Sequence, residues 1–280
     1  MFTATSTLAR RIELAEAALI AGIGRAVARR LGPSQVIVEH LGEAAAVMPG
    51  PGSQLSKVAG LGFEPLDEAS LAAVEQAFAR FNIPVRVELS SLADPAVARL
   101  LSARGYALAG FENVLGLSLP SPHPGTGTAG SGPTVVAPTS ADDFDRWAEV
   151  VSTGFAHPDT FDGPAPIEVA DTSGIDLIFR DMASLDGFSQ YVARRGGRIA
   201  GGASMRIDNR VAQLCGAATL PEFRRLGVQT TLVRERLAHA AAAGCDVAVV
   251  TTEPGSKSQA NAQRQGFELL YVRAVLIKSG

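Results

Sequence analysis

The sequence predicts two α/β (α+β) domains in tandem, and three observations carry that expectation. A proline- and glycine-rich stretch near the middle divides the chain. The two halves close with the same strand–turn–helix–strand order, and strand-like and helix-like segments alternate through both. The length, 280 residues, suits about two domains.

Residues 120–134, PSPHPGTGTAGSGPT, hold four prolines and four glycines and almost nothing to bury. They read as a linker between a first domain, 1–119, and a second, 135–280. The repeat lies in IPVRVELSSLADPAVARLLSARGYALAGFENVLGLSL (83–119) and CDVAVVTTEPGSKSQANAQRQGFELLYVRAVLIKS (245–279). An offset of 161 carries Gly105-Tyr106 onto Gly266-Phe267 without a gap. Each glycine sits where a helix C-cap needs positive φ.

In the first half, Leu8, Ile12, Leu19, Ile23, Val27 and Leu31 form one helical stripe. The arginine-bearing start resembles an import peptide, but Glu13 and Glu16 argue against one. A helix follows over Leu71–Phe81. PGPGS at 49–53 is either a loop near the second domain's site or plain linker.

In the second half, Ser140 can cap a helix with Asp142 and Asp143 in its first turn and Phe144, Trp147, Val150 and Val151 on one side. A loop from His157 to Pro166 and a helical stretch near Gly174–Leu185 follow. Gln190–Arg194 and Ile199–Ile207 alternate about Arg195-Gly196-Gly197, a hairpin signal. Asp208-Asn209 then turns the chain into a strand, Val211–Thr219.

That strand leads into the most informative segment, TLPEFRRLGVQTTLV (219–233), which enters a helix with Leu232, Val233, Leu237, Ala240 and Ala241 on its apolar side. The amides of Leu226, Gly227, Val228, Gln229 and Thr230 belong to the unpaired first turn, where the helix dipole favours an anion. Gly227 lets a ligand approach the backbone, and Arg224 or Arg225 can add charge-assisted hydrogen bonds. The alternative is an ordinary strand–turn–helix with a solvated arginine pair.

Order and residues together resemble the GNAT superfamily of acetyl-CoA-dependent N-acyltransferases, whose signature Gln/Arg-x-x-Gly-x-Gly/Ala reads Arg224-Arg225-Leu226-Gly227-Val228-Gln229 here. Gln229 departs from the last position and adds bulk near the pyrophosphate. The resemblance implies, in each domain, a mixed, mostly antiparallel central sheet flanked by helices. It makes the first domain a degenerate copy. There the corresponding segment, AGLGFEPLDEAS (59–70), has Gly60 and Gly62 beside Glu64, Asp67 and Glu68, with no Arg or Lys between Lys57 and Arg80. Carboxylates repel a pyrophosphate, so this domain is expected to bind no acetyl-CoA.

The resemblance also implies that pantetheine lies between the fourth and fifth strands and bonds the backbone of Ala218, Thr219 and Leu220. Many members carry Asn-x-x-Ala-x-x-x-Tyr before Gly-Phe, with Tyr as the acid; here Gly255 and Ala262 occupy the Asn and Tyr places. Ser256 and Ser258 can cap the fourth helix or bond the cofactor arm, and Asn261 is a further candidate for that arm. Glu253, ending the fifth strand, is the candidate base or an exposed turn carboxylate. Tyr191 and Tyr271 are candidate acids or strand packing, and Cys215 is core rather than nucleophile. Direct attack with water relaying protons needs none of them. Substrate contacts are expected from Phe155, His157, Asp159, Phe161, Asp162 and the hairpin Arg194–Arg198.

Hydrophobic residues make up 46% and charged residues 19%, with net charge −3, which gives no general pull toward nucleic acid or anionic membrane. No apolar window is long enough for a membrane span. Cys215 and Cys245 read as free thiols of a cytoplasmic protein, and the four histidines show no metal spacing. The expectation is a monomeric or homodimeric N-acetyltransferase that moves acetyl from acetyl-CoA to a small primary amine without a metal. The alternatives are a GNAT-fold acyl-CoA binder without efficient turnover and a non-enzymatic scaffold.

Overall fold

The computed structural model describes residues 3–50, 53, 55–119, 135–138, 140, 143–156 and 175–279. The expected linker (120–134) and the expected substrate residues His157, Asp159, Phe161 and Asp162 lie outside them. The first half contains α1 (Ser6–Leu31), β1 (Ile37–Leu41), β2 (Ala44–Met48), β3 (Lys57–Ala59), α2 (Glu68–Ala79), β4 (Val85–Ser90), α3 (Pro95–Ala103) and β5 (Ala107–Ser118). The second contains β6 (Val135–Pro138), α4 (Phe144–Ala156), α5 (Ile175–Ala183), β7 (Phe188–Arg195), β8 (Arg198–Asp208), β9 (Val211–Thr219), α6 (Val228–Ala242), β10 (Val247–Thr252), α7 (Lys257–Arg264) and β11 (Glu268–Lys278).

Local chemistry explains most boundaries. The hydroxyl of Thr5 accepts from the Leu8 amide and starts α1, and the Gly32 amide closes it on the Ala28 carbonyl at 2.9 Å. Of the predicted α1 stripe, Ile12, Leu19, Ile23 and Val27 are buried, whereas Leu31, at the helix end, is 47% exposed. Gly196 and Gly197 both take positive φ between β7 and β8, as a two-residue hairpin turn requires. Gly105 and Gly266 also take positive φ, at 88° and 92°, just beyond α3 and α7.

Among the described residues, eleven strands form one mixed sheet in the order β1-β2-β3-β4-β11-β5-β10-β9-β8-β7-β6. Most neighbours are antiparallel; β3–β4 and β9–β10 are parallel. Outward from the central β11–β5 pair, the two sides repeat one pattern, as an internal duplication predicts. The halves do not keep separate sheets, however. Strand β5 of the first half pairs with β10, and β11 of the second pairs with β4, so the last strands are exchanged.

Helix α1 lies across the exchange. Its residues enter three apolar clusters, packing against Val114, Val211 and Tyr271, against Ala45 and Val47, and against Trp147 and Phe179. Helix α6 packs on the other face, over Ala212, Leu214 and Ala248. Among the described residues no helix is long and apolar enough to cross a membrane, and no cluster of His, Cys, Asp or Glu could hold a metal ion.

In the first half the segment matching the phosphate loop is closed by its own acids. Asp67 caps α2, accepting from the Ser70 amide at 2.9 Å, and Glu64 accepts from the Glu43 amide. A carboxylate therefore occupies the place an anion would take.

Candidate active site

The site begins where β9 and β10 part. They pair at Val211↔Val247, Ala212↔Ala248 and Gln213↔Val249, and nowhere beyond. The cause is a bulge in β9: opposite β8 the register slips between Ser204↔Cys215 and Gly202↔Ala218. Gly216, with φ 53°, sits in the bulge. A Cβ there would meet Ser204 Oγ at 2.7 Å and the Phe179 ring at 3.3 Å. The bulge turns β9 away from β10, which leaves its backbone unpaired on the cleft side.

The three expected backbone contacts are therefore not equivalent. The Leu220 amide donates to the Ala200 carbonyl at 3.0 Å and so faces β8. Strand alternation directs the Ala218 amide to that same side and the Thr219 amide to the cleft. Past the strand, Pro221–Phe223 form a 3-10 turn. Arg224 folds back, its Nε donating to the Thr219 carbonyl at 3.4 Å, while Arg225 is exposed with φ 61°. Gly227 precedes α6 at φ 80° with no side-chain cap, and the Thr231 amide bonds back to its carbonyl at 3.0 Å. The amides of Val228, Gln229 and Thr230 stand ahead of the helix's own bonding, with the positive end of its dipole. Uncapped amides, two left-handed residues and an unpaired strand edge fit a polyphosphate joined to a thin arm. The carboxylate-capped counterpart on α2 does not.

Helix α7 faces this loop. Asn261 Nδ2 donates to Gln229 Oε1 at 2.7 Å, and Gln265 Nε2 to Thr230 Oγ1 at 3.3 Å, so the bulk of Gln229 is turned onto α7. Ser256 caps α7, accepting from the Gln259 amide at 3.1 Å, whereas Ser258 and Asn261 line the cleft. The capping alternative thus describes Ser256.

From this opening a cavity of about 680 Å³ runs between β9 and β10 to the face covered by α1. Its apolar wall includes Leu19, Ile20 and Ile23 of α1 and Phe179 and Met182 of α5. Pro49, Gly50 and Ser53 also line it, which places the described part of PGPGS at the site. Its polar floor comes largely from the first half and from β11. Lys57 Nζ donates to Glu16 Oε1 at 2.7 Å and Glu88 Oε2 at 2.8 Å. Arg273 Nε donates to Glu13 Oε1 at 2.8 Å, Arg86 to Glu112 Oε1 at 2.8 Å, and Gln213 Nε2 to Glu16 Oε2 at 3.1 Å.

The carboxyls in this network differ. Burial alone would raise Glu16, but Lys57 and Arg273 outweigh it and hold the group at about 2. Burial raises Glu13 despite Arg273. Burial and the nearby Glu88 carboxylate raise Glu112, which lines the cavity, above the ordinary 4.5.

The three catalytic candidates read from the sequence fall elsewhere. Glu253 is exposed beyond β10 and does not line the cavity. The Tyr191 hydroxyl bonds His239 Nδ1, and burial pushes it up to about 12. Tyr271 donates to Glu13 Oε1 at 2.7 Å from beneath α1, and burial pushes it well up. Both tyrosines sit in strands whose pleat directs them into packing. Cys215 lines the cavity as a thiol whose pKa burial raises, consistent with core chemistry. In the hairpin, Arg194 pairs with Asp143 at 2.6 Å and Arg198 with Glu222 at 3.0 Å, away from the cavity. Phe155 lies in α4.

Residues missed from the sequence, Glu16, Lys57, Glu112, Arg236 and Arg273, had one signal. Each is a charge at a position that the surrounding pattern makes buried.

Comparison with known proteins bears on this arrangement. The model of the acetyltransferase (GNAT) family matches residues 158–267. No curated protein matches the sequence. A tandem GNAT protein from the clavulanic acid biosynthesis pathway superposes with TM-score 0.63 at 13% identity, over 96% of this chain and 95% of that one. A GCN5-related N-acetyltransferase from Kribbella flavida does so with TM-score 0.59 at 18% identity, over 92% and 95%. One from Sphaerobacter thermophilus gives 0.52 at 15% identity, over 99% and 94%.

Proposed function

Since residues 158–267 form a GNAT acetyltransferase domain on a tandem GNAT fold, we propose that the protein moves an acetyl group from acetyl-CoA to the primary amine of a small molecule by direct attack. The observation that carries this reading is the parting of β9 and β10 beside the uncapped start of α6, which opens into the cavity. Residues 224–230 hold the pyrophosphate, and Ser258 and Asn261 flank the arm. The Thr219 amide faces the thioester and polarises its carbonyl.

The chamber floor supports an amine acceptor. Glu16 and Glu112 line it beside Lys57 and Arg273, so carboxylates stand ready to receive an incoming ammonium. Glu112 takes the ammonium proton, its raised pKa bringing it closer to neutrality. The freed nitrogen lone pair forms the C–N bond as the C–S bond breaks. The departing thiolate takes a proton relayed by water, and the products are an amide and CoA. In this reading 1–119 is the domain without a phosphate loop and 135–280 the acetyltransferase domain, the first walling the second's acceptor site.

Isothermal titration with acetyl-CoA tests the assignment. Wild type binds, and Gly227→Trp, which fills the approach to the loop, does not. Failure of wild type to bind at millimolar concentration overturns it. A second reading, an acyl-CoA binder without efficient turnover, draws on the absence of any tyrosine lining the cavity among the described residues. Thiol release across an amine library separates the two.

A further inference from the structure

Four cations are buried among the described residues: Lys57, Arg206, Arg236 and Arg273. Three meet carboxylates: Lys57 with Glu16 and Glu88, Arg206 with Asp208 at 3.0 Å, and Arg273 with Glu13. Arg236 meets none. It is 2% exposed, its Nε donates to the Leu232 carbonyl at 3.1 Å, its Nη1 donates to the Ser204 carbonyl at 3.0 Å, and it makes no ion pair with a described residue. Its charged neighbourhood is Cys215 and Tyr191, both neutral at neutral pH, and burial brings its pKa down to about 10. A guanidinium held out of water without a counter-charge is costly unless an anion joins it.

Arg236 lines the cavity, and its position on α6 says where that anion sits. Gln229, Thr230, Val233 and Arg236 form the helix's cavity stripe. At 1.5 Å per residue, Arg236 lies about 10 Å deeper than Gln229, too far in to share the phosphates held at the helix start. It reaches the β9 bulge, where Nη1 holds Ser204 opposite Cys215. Nη2 makes no hydrogen bond to a described residue and faces the cavity side.

We propose that Arg236 is a specificity residue that receives a carboxylate carried by a ligand of this cavity. The inference rests on the acyl-CoA reading of the site and narrows it to a carboxylate-bearing ligand. Two sources share this chemistry: an acyl donor ending in a carboxylate, and an amine acceptor carrying one. A planar guanidinium favours a carboxylate over an uncharged group of the same shape by at least about tenfold when both are desolvated.

The experiment has two arms on the full chain. The donor arm titrates succinyl-CoA against butyryl-CoA. The acceptor arm follows thiol release from acetyl-CoA with amino acids against the matching amino acid amides. Wild type is expected to prefer the carboxylate by tenfold or more in one arm, which identifies the source. Arg236→Met is expected to remove that preference while changing acetyl-CoA affinity less than about threefold, and Arg236→Lys to retain part of it. If Arg236→Met does not fold, Arg236→Lys alone tests the point, because the shorter, non-planar cation must weaken the preference. A wild type that binds acetyl-CoA but discriminates in neither arm overturns this inference and leaves the proposed function standing. So does a preference undiminished in the folded variants. A wild type that binds no acyl-CoA overturns both.

Discussion

Replacing Glu16 with glutamine removes one charge from the chamber floor while keeping the side chain's volume. Glu16 is held at about 2 in the folded protein against an ordinary 4.5, with Lys57 at 2.7 Å and Gln213 at 3.1 Å. That difference corresponds to about 3 kcal/mol of stability at neutral pH, a large share of the ~5–15 kcal/mol typical of a folded protein. Because the folded pKa is depressed, the contribution is complete above 4.5 and is lost as the pH falls toward 2. At pH 3.5 about 2 kcal/mol should remain. Urea unfolding of wild type and Glu16→Gln at pH 7 and pH 3.5 measures both values. The expected gap is about 3 kcal/mol, narrowing by about a third on acidification. A gap that stays constant or widens as the pH falls would mean that the Lys57 and Arg273 charges do not hold Glu16 ionised, and would refute the reasoning.

Glu112→Gln keeps the contact to Arg86 but cannot take a proton. It should lower kcat by about 10²–10⁴-fold, leave acetyl-CoA affinity unchanged, and remove the acidic limb from the kcat/KM pH profile. Gly216→Ala places a Cβ against Ser204 Oγ in a left-handed backbone, so it should cost about 1–3 kcal/mol in thermal or urea unfolding and weaken acetyl-CoA binding by titration. Asp67→Ala removes the α2 cap, costing about 1 kcal/mol with no change in acetyl-CoA affinity, since the proposed cofactor seat is at the start of α6. The exchanged strands should make the halves unfold together. Fluorescence of Trp147, the chain's single tryptophan, and far-UV circular dichroism should therefore give one coincident urea transition; an earlier dichroism step not seen by Trp147 would contradict the shared sheet.

Local order was legible in the sequence because it is written in short-range chemistry. The stripe of α1, the Gly196-Gly197 hairpin, the positive-φ glycines after α3 and α7, and the uncapped turn before α6 all depend on residues within a few positions of one another. The strand exchange was not legible. β5 and β11 are alternating strands at matching places of a repeat, and each satisfies its backbone equally well beside either half. Only tertiary packing distinguishes the partners, and the bulge between Leu269 and Tyr271 in the β11–β5 register lies in that packing. The same gap hid the surroundings of Tyr271. Tyr271 looked available when β11 was expected inside its own half, but the exchange carries it under α1 to Glu13.

The exchange also bears on what a half without a phosphate loop is for. A junction that served only to hold two sheets together would gain more from apolar side chains, because burying paired charges rarely improves stability over a well-packed hydrophobic substitute. Here the junction carries buried charge, with Glu16, Lys57, Glu112 and Arg273 lining the cavity, beside apolar packing beneath α1 at Ile12, Ile20 and Val47. Part of that charge is thus presented to the surface that a ligand would touch, with Glu13 and Glu88 buried behind it. Three of those four charges come from residues 1–119, and the fourth comes from the strand lent to that half. In the proposed reaction the two halves therefore divide the work: the cleft-bearing half presents the phosphate seat on α6, and the carboxylate-capped half presents the charged floor where the amine is received.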